Sequence, residues 1–114
     1  MRGRGVIGAG GALALVATAR VAAAEQTPTV SIQVFQFQPA VIQVRTGTAI
    51  TWTNRDDIEH TVTSGDPDHR TGRFDRRLPS RDASNTVSFT EPGVYRYFCD
   101  RHPSMRGEIR VNAS

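Results

Sequence analysis

The chain has 114 residues, a formal net charge of +3, fourteen arginines, no lysine, eleven acidic residues and one cysteine. That length allows one small domain, and a single cysteine excludes an internal disulfide framework. Arg2, Arg4 and Arg20 lie in the first 24 residues with no acid beside them; the other 90 residues carry eleven arginines against eleven acids, so no basic footprint for nucleic acid remains.

In chain order, the first element is a leader. Arg2 and Arg4 form a basic start, Val6 to Ala19 an apolar run, and Ala22-Ala23-Ala24 a small-residue end. This pattern predicts a signal peptide, residues 1–24, cleaved after Ala24. The run is too short to span a bilayer, and Arg2-Gly3-Arg4 is not a twin-arginine pair. The expected product, residues 25–114, is a periplasmic domain, exported and not stably inserted in the membrane.

Short runs of near-period-two hydrophobicity follow. "TVSIQVFQF" alternates Val30, Ile32 and Val34 with polar residues. "VIQVRTGTAITWTN" reads as two strands around Thr46-Gly47, with Ile42 and Val44 on one face, then Ile50 and Trp52. "HTVTS" is short, "NTVSFT" places Val87 and Phe89 on one side, and "GVYRYFC" and "GEIRV" complete the set. No segment sustains a 3.6-residue pattern. The fold class expected is all-β, a Greek-key β-sandwich. Residues 64–84, rich in Arg, Asp and Gly, break the pattern and read as a long surface connection with Phe74 and Leu78 tucked beneath it. His69, inside that connection, reads as solvated. Tyr95 reads as a corner residue, Trp52 as core, and Asn54 as a turn residue ahead of a second-sphere role.

Chemistry concentrates in "YRYFCDRHPSMRG". It holds the only cysteine, Cys99, then His102 and Met105 at three-residue intervals. Singly, a buried cysteine is a small hydrophobe and a methionine fills core. Together on one loop after a strand they form a soft donor set. The fourth donor expected is His60, which opens the strand "HTVTS". Two imidazoles, a thiolate and an axial thioether make a blue-copper site, because the soft sulfurs favour Cu(I) and imidazole suits both oxidation states. Zinc fits worse, since its sites use no methionine. Haem attachment would need C-x-x-C-H, which is absent.

The stretches "TGTAITWTNRDDIEHTVTSG" and "FTEPGVYRYFCDRHPSMRGEIRV" resemble cupredoxins of the plastocyanin/azurin superfamily, most closely the amicyanin-like branch. The short Cys-x2-His-x2-Met loop followed by Arg106-Gly107 carries the likeness to that branch. The resemblance implies a cupredoxin sandwich, one copper ion (a type 1 site), and His60, Cys99, His102 and Met105 as metal ligands.

Two departures stand out. Amicyanin-like chains usually carry Asn after the first histidine; here it is Thr61, whose hydroxyl can still bond across. Arg101 replaces a frequent proline before His102, so its N–H, or that of Asp100, is expected to reach the Cys99 sulfur. Arg70, Arg73, Arg76, Arg77 and Arg81 read either as a basic docking neighbourhood or as a solvated loop balanced by Asp66, Asp68, Asp75 and Asp82.

The function expected is a soluble electron carrier, not an enzyme, since no substrate is transformed. Its partners are redox proteins (a dehydrogenase, cytochrome c or oxidase) docking near His102. Nucleic acid is excluded, and a monomer is expected. The alternative is a periplasmic copper carrier or buffer delivering the ion to an oxidase. A nitrite reductase fragment would need a second copper site, for which only His69 remains.

Overall fold

The computed structural model describes residues 27–113; the predicted leader 1–24 lies outside them. Nine strands follow one another: β1 Thr29–Ile32, β2 Phe37–Gln38, β3 Val41–Arg45, β4 Thr48–Asn54, β5 His60–Asp66, β6 His69–Leu78, β7 Ser84–Phe89, β8 Gly93–Phe98 and β9 Arg106–Asn112. There is no helix among the described residues. The strands form two sheets, in the orders β3-β9-β8-β5-β6 and β2-β1-β4-β7. The expectation of an all-β sandwich holds.

The turn at Thr46-Gly47 forms as predicted, with Gly47 at φ 89°, a conformation open to glycine at no steric cost. The strands on either side do not pair with each other. β3 pairs parallel with β9, whereas β4 pairs with β1 and β7. The turn therefore carries the chain from one sheet to the other.

Inward positions alternate as read: Val30, Ile32, Ile50, Trp52, Val87 and Phe89 are buried. Burying a large apolar side chain contributes roughly 1.5–3 kcal/mol. Trp52 is the centre of an aromatic cluster, with Tyr97 edge-on at 5.4 Å and Phe74 and Phe89 at 6.3 and 6.5 Å. A Cβ on Gly107 would run into the Tyr97 ring, so glycine lets β9 approach that ring. The corner role of Tyr95 is visible in its hydroxyl, which donates to the Glu91 carbonyl at 2.7 Å.

Two expectations change. Val34 is 72% exposed, because β1 stops at Ile32 and residues 33–36 form a turn closed by reciprocal Gln33–Gln36 backbone bonds. Residues 64–84 are not a long connection; most of them are strands β5 and β6, paired antiparallel from His60↔Leu78 to Asp66↔His69. Phe74 and Leu78 are buried as expected. The alternation was hidden because β6 is an edge strand whose outward face carries Arg and Asp, residues that blunt a free edge. Ser64 occupies the irregularity in β5; its hydroxyl accepts the N–H groups of Arg73 at 2.9 Å and Phe74 at 3.0 Å. His69 is exposed, as read.

Candidate metal centre

Cys99 follows the last residue of β8, and His60 is the first residue of β5. These strands are neighbours, with Thr63 opposite Phe98 and Ser64 opposite Tyr97. Sheet order thus brings residues 39 positions apart in sequence to the same end of the sandwich. The Cys99–Met105 segment closes on itself. Cys99 N–H donates to the Met105 carbonyl at 3.1 Å, His102 N–H to Cys99 at 3.2 Å, and Met105 N–H to His102 at 2.9 Å. Those bonds turn His102 back over the sulfur.

The Cys99 sulfur lies 3.6 Å from Nδ1 of His60 and 3.9 Å from Nδ1 of His102. One donor atom from each of the three falls within 4.8 Å of the others. Cys99 and His60 are fully buried, and His102 is half-buried. Met105, three residues after His102, is buried in the core cluster. An ion about 2.3 Å from a thiolate sulfur and about 2.0 Å from an imidazole nitrogen, with bonds roughly 120° apart, sets sulfur and nitrogen about 3.7 Å from each other. The two measured separations straddle that value, so the residues fit a trigonal metal. A thiolate with two imidazoles is the donor set of a type 1 copper centre.

The surroundings are fixed by groups that the sequence reading ranked low or missed. Nε2 of His60 lies 2.9 Å from the carboxylate of Asp56. The same carboxylate accepts the N–H groups of Val34 at 2.8 Å and Phe35 at 3.0 Å. Burial alone would raise the Asp56 carboxyl, but the Phe35 N–H, the His60 ring and the Val34 N–H outweigh it and hold it below the usual carboxylate range. Val34 and Phe35 have φ of 52° and 59°, a left-handed pair disfavoured for such side chains. The Phe35 ring stands edge-on to His102 at 4.7 Å and to His60 at 5.4 Å. Asn54 is a buried bracket under this loop: its amide donates to the carbonyls of Ile58 and Leu78, and its oxygen accepts the Asp56 N–H. Its position four residues before Ile58 and two before Asp56 was the only signal.

The expected Asp100 or Arg101 donor to sulfur is replaced. The N–H that reaches Cys99 Sγ, at 3.4 Å, is that of Thr61, while Asp100 N–H goes to the Thr61 hydroxyl at 2.8 Å. The expectation that this hydroxyl bonds across is met. Of the five arginines read as a basic neighbourhood, three are ion-paired. Arg70 pairs with Asp100, Arg77 with Glu59 at 2.6 Å, and Arg81 with Asp57 at 2.7 Å. Arg73 lies over the Tyr95 ring at 5.3 Å.

A family model described as a cupredoxin-like domain matches residues 6–111. The chain belongs to the cupredoxin-like family. It is 30% identical over 111 residues to amicyanin of Paracoccus denitrificans, covering 91% of this chain and 85% of that one. To amicyanin-alpha of Methylorubrum extorquens it is 28% identical over 104 residues, 88% of this chain and 87% of the relative. Among solved structures, a reduced Cu(I) form of an amicyanin mutant superposes with a TM-score of 0.68 at 27% identity, covering 75% of this chain and 82% of that one. This cupredoxin also matches a purple cupredoxin from Nitrosopumilus maritimus, with a TM-score of 0.67 at 27% identity, over 75% and 99% of the two chains.

Proposed function

We propose that residues 25–114 form a periplasmic blue-copper electron carrier, exported by the leader 1–24, in which His60, Cys99 and His102 would hold one copper ion and Met105 would add a weak thioether donor. The observation that carries the reading is the convergence of one thiol and two imidazoles within 4.8 Å. When bound, the copper supplies a one-electron change between Cu(II) and Cu(I). Cys99 provides the soft thiolate, and the Thr61 N–H draws charge from that sulfur. His60, buried and backed by Asp56, anchors the inner side. His102 is half-buried beside Ile58, Glu59, Asp100 and Arg101, so its ring edge is the route to a partner.

That partner is a redox protein, and the contact face is apolar at its centre. Val34, Phe35 and Ile58 are exposed, and the arginines nearby are largely matched by acids. Docking on such a face depends on burial more than on long-range steering. A copper-delivery role would use the same residues; the full burial of Cys99 and His60 favours retention through many redox cycles.

Adding Cu(II) to the purified protein and recording its visible spectrum tests the reading. An intense blue charge-transfer band that vanishes in Cys99→Ser supports it. A colourless product, or a band that survives Cys99→Ser, refutes it. Stoichiometric loss of copper to a weak chelator during redox cycling would assign delivery instead.

A further inference from the structure

Four polar groups form a line leading away from the Cys99 loop. Asp100 N–H lies 2.8 Å from Thr61 Oγ1. Thr61 Oγ1 lies 2.9 Å from Thr63 Oγ1, and Thr63 Oγ1 lies 3.0 Å from Asp75 Oδ1. The two ends fix the direction of every bond between them. An amide N–H can only donate, and an ionised carboxylate can only accept. Thr63 therefore gives its proton to Asp75, and Thr61 gives its proton to Thr63. Each hydroxyl donates once and accepts once, so the protons have a single arrangement. Such chains strengthen along their length, and a charged terminal acceptor makes a stronger bond than a neutral one.

We infer that Asp75 is a positioning residue for the metal centre: through the Thr63 and Thr61 hydroxyls, a surface carboxylate on β6 holds the residue that follows Cys99. The same relay locks the Thr61 side chain, and the Thr61 backbone N–H is the one facing the sulfur. Asp75 stands directly opposite Thr63 in the β5–β6 ladder, so strand register sets its reach. The Asp100 carboxylate makes a separate ion pair with Arg70, also on β6, and the two attachments can be tested apart.

The test compares Thr63→Val, which keeps shape and removes the hydroxyl, with Asp75→Ala at an exposed site that tolerates truncation. Amide exchange of Asp100 in the metal-free protein is the first readout; it needs no copper and so stands or falls independently of the proposed function. Exchange at least tenfold faster in both variants is expected, with Thr63→Val/Asp75→Ala no faster than Thr63→Val alone. Thr61→Ser, which retains the hydroxyl, should exchange like the parent, and Arg70→Ala should leave the amide protected. The second readout, resting on the copper reading, is the sulfur-to-copper band, expected to shift the same way in Thr63→Val and Asp75→Ala. Unchanged Asp100 exchange in both variants, or equal deprotection by Arg70→Ala, overturns the inference. Faster exchange in a protein that takes up no copper would refute the function and leave the relay standing.

Discussion

The carboxylate of Asp56 sits 2.9 Å from Nε2 of His60, the ring nitrogen that does not face Cys99. The imidazole is thus gripped on both sides, with Nδ1 toward the sulfur. A carboxylate behind a ligating histidine fixes the tautomer and raises its basicity. Removing it with Asp56→Ala should weaken copper binding about 10- to 100-fold. Competition with a chelator of known affinity measures this, and an unchanged affinity would mean that Asp56 serves only the hairpin tip.

That tip supplies a stability prediction. Val34 is β-branched, holds φ of 52° and is 72% exposed. Left-handed backbone costs roughly 1–2 kcal/mol for most side chains and least for Gly, Asn and Asp. Val34→Asn should therefore stabilise the fold by about 1 kcal/mol, read as a higher urea midpoint at constant slope. A lower midpoint would show that Val34 packs in a way its exposure hides.

Gly107 is predicted to tolerate nothing larger. Its absent Cβ is the space filled by the Tyr97 ring, and that ring is wedged between Phe37 at 4.7 Å and Trp52 at 5.4 Å. Gly107→Ala should cost about 1–3 kcal/mol as overpacking. Thermal unfolding reports the loss; a melting temperature equal to the parent's would show the ring free to move.

Tyr97 also carries a pH prediction. Among the described residues, neither its hydroxyl nor the indole N–H of Trp52 completes a hydrogen bond of ordinary geometry. Burial pushes the phenol above the usual tyrosine range, with the neighbouring indole N–H pulling slightly back. The unfolded chain ionises this group at about pH 10, while the folded one keeps it neutral. Its contribution is therefore intact below about pH 10 and lost as pH rises beyond that value. Tyr97→Phe should flatten the alkaline fall in unfolding free energy, measured in denaturant at about pH 7 and about pH 11. Equal falls in both proteins would assign the loss to other groups.

Much of the fold was legible because inward residues recur at every second position in β1, β4 and β7, where polar residues lie between them. β6 obeyed the same rule with Phe74 and Leu78, but Arg, Asp and Gly around them imitate a loop. His60, Cys99 and His102, which the fold brings within 4.8 Å of one another, were legible as a group from side-chain chemistry, since softness and spacing belong to the residues themselves. Asp56, Asn54, Thr63 and Asp75 were not, because their roles depend on which strands become neighbours. Asp75 gains its place from the register of β5 against β6, and Asp56 from a turn some 20 residues upstream. Val34 misled because the alternation runs on for two residues past Ile32, where the strand ends.

The 3.6 and 3.9 Å spacings around Cys99 are maintained by the protein's own bonds from Thr61, Asp56 and the loop backbone. Discrimination among ions is then settled during folding rather than at the moment of capture. Magnesium or calcium, which demand six or more oxygen neighbours, would meet a narrow sulfur-and-nitrogen cradle that has little freedom to widen for them.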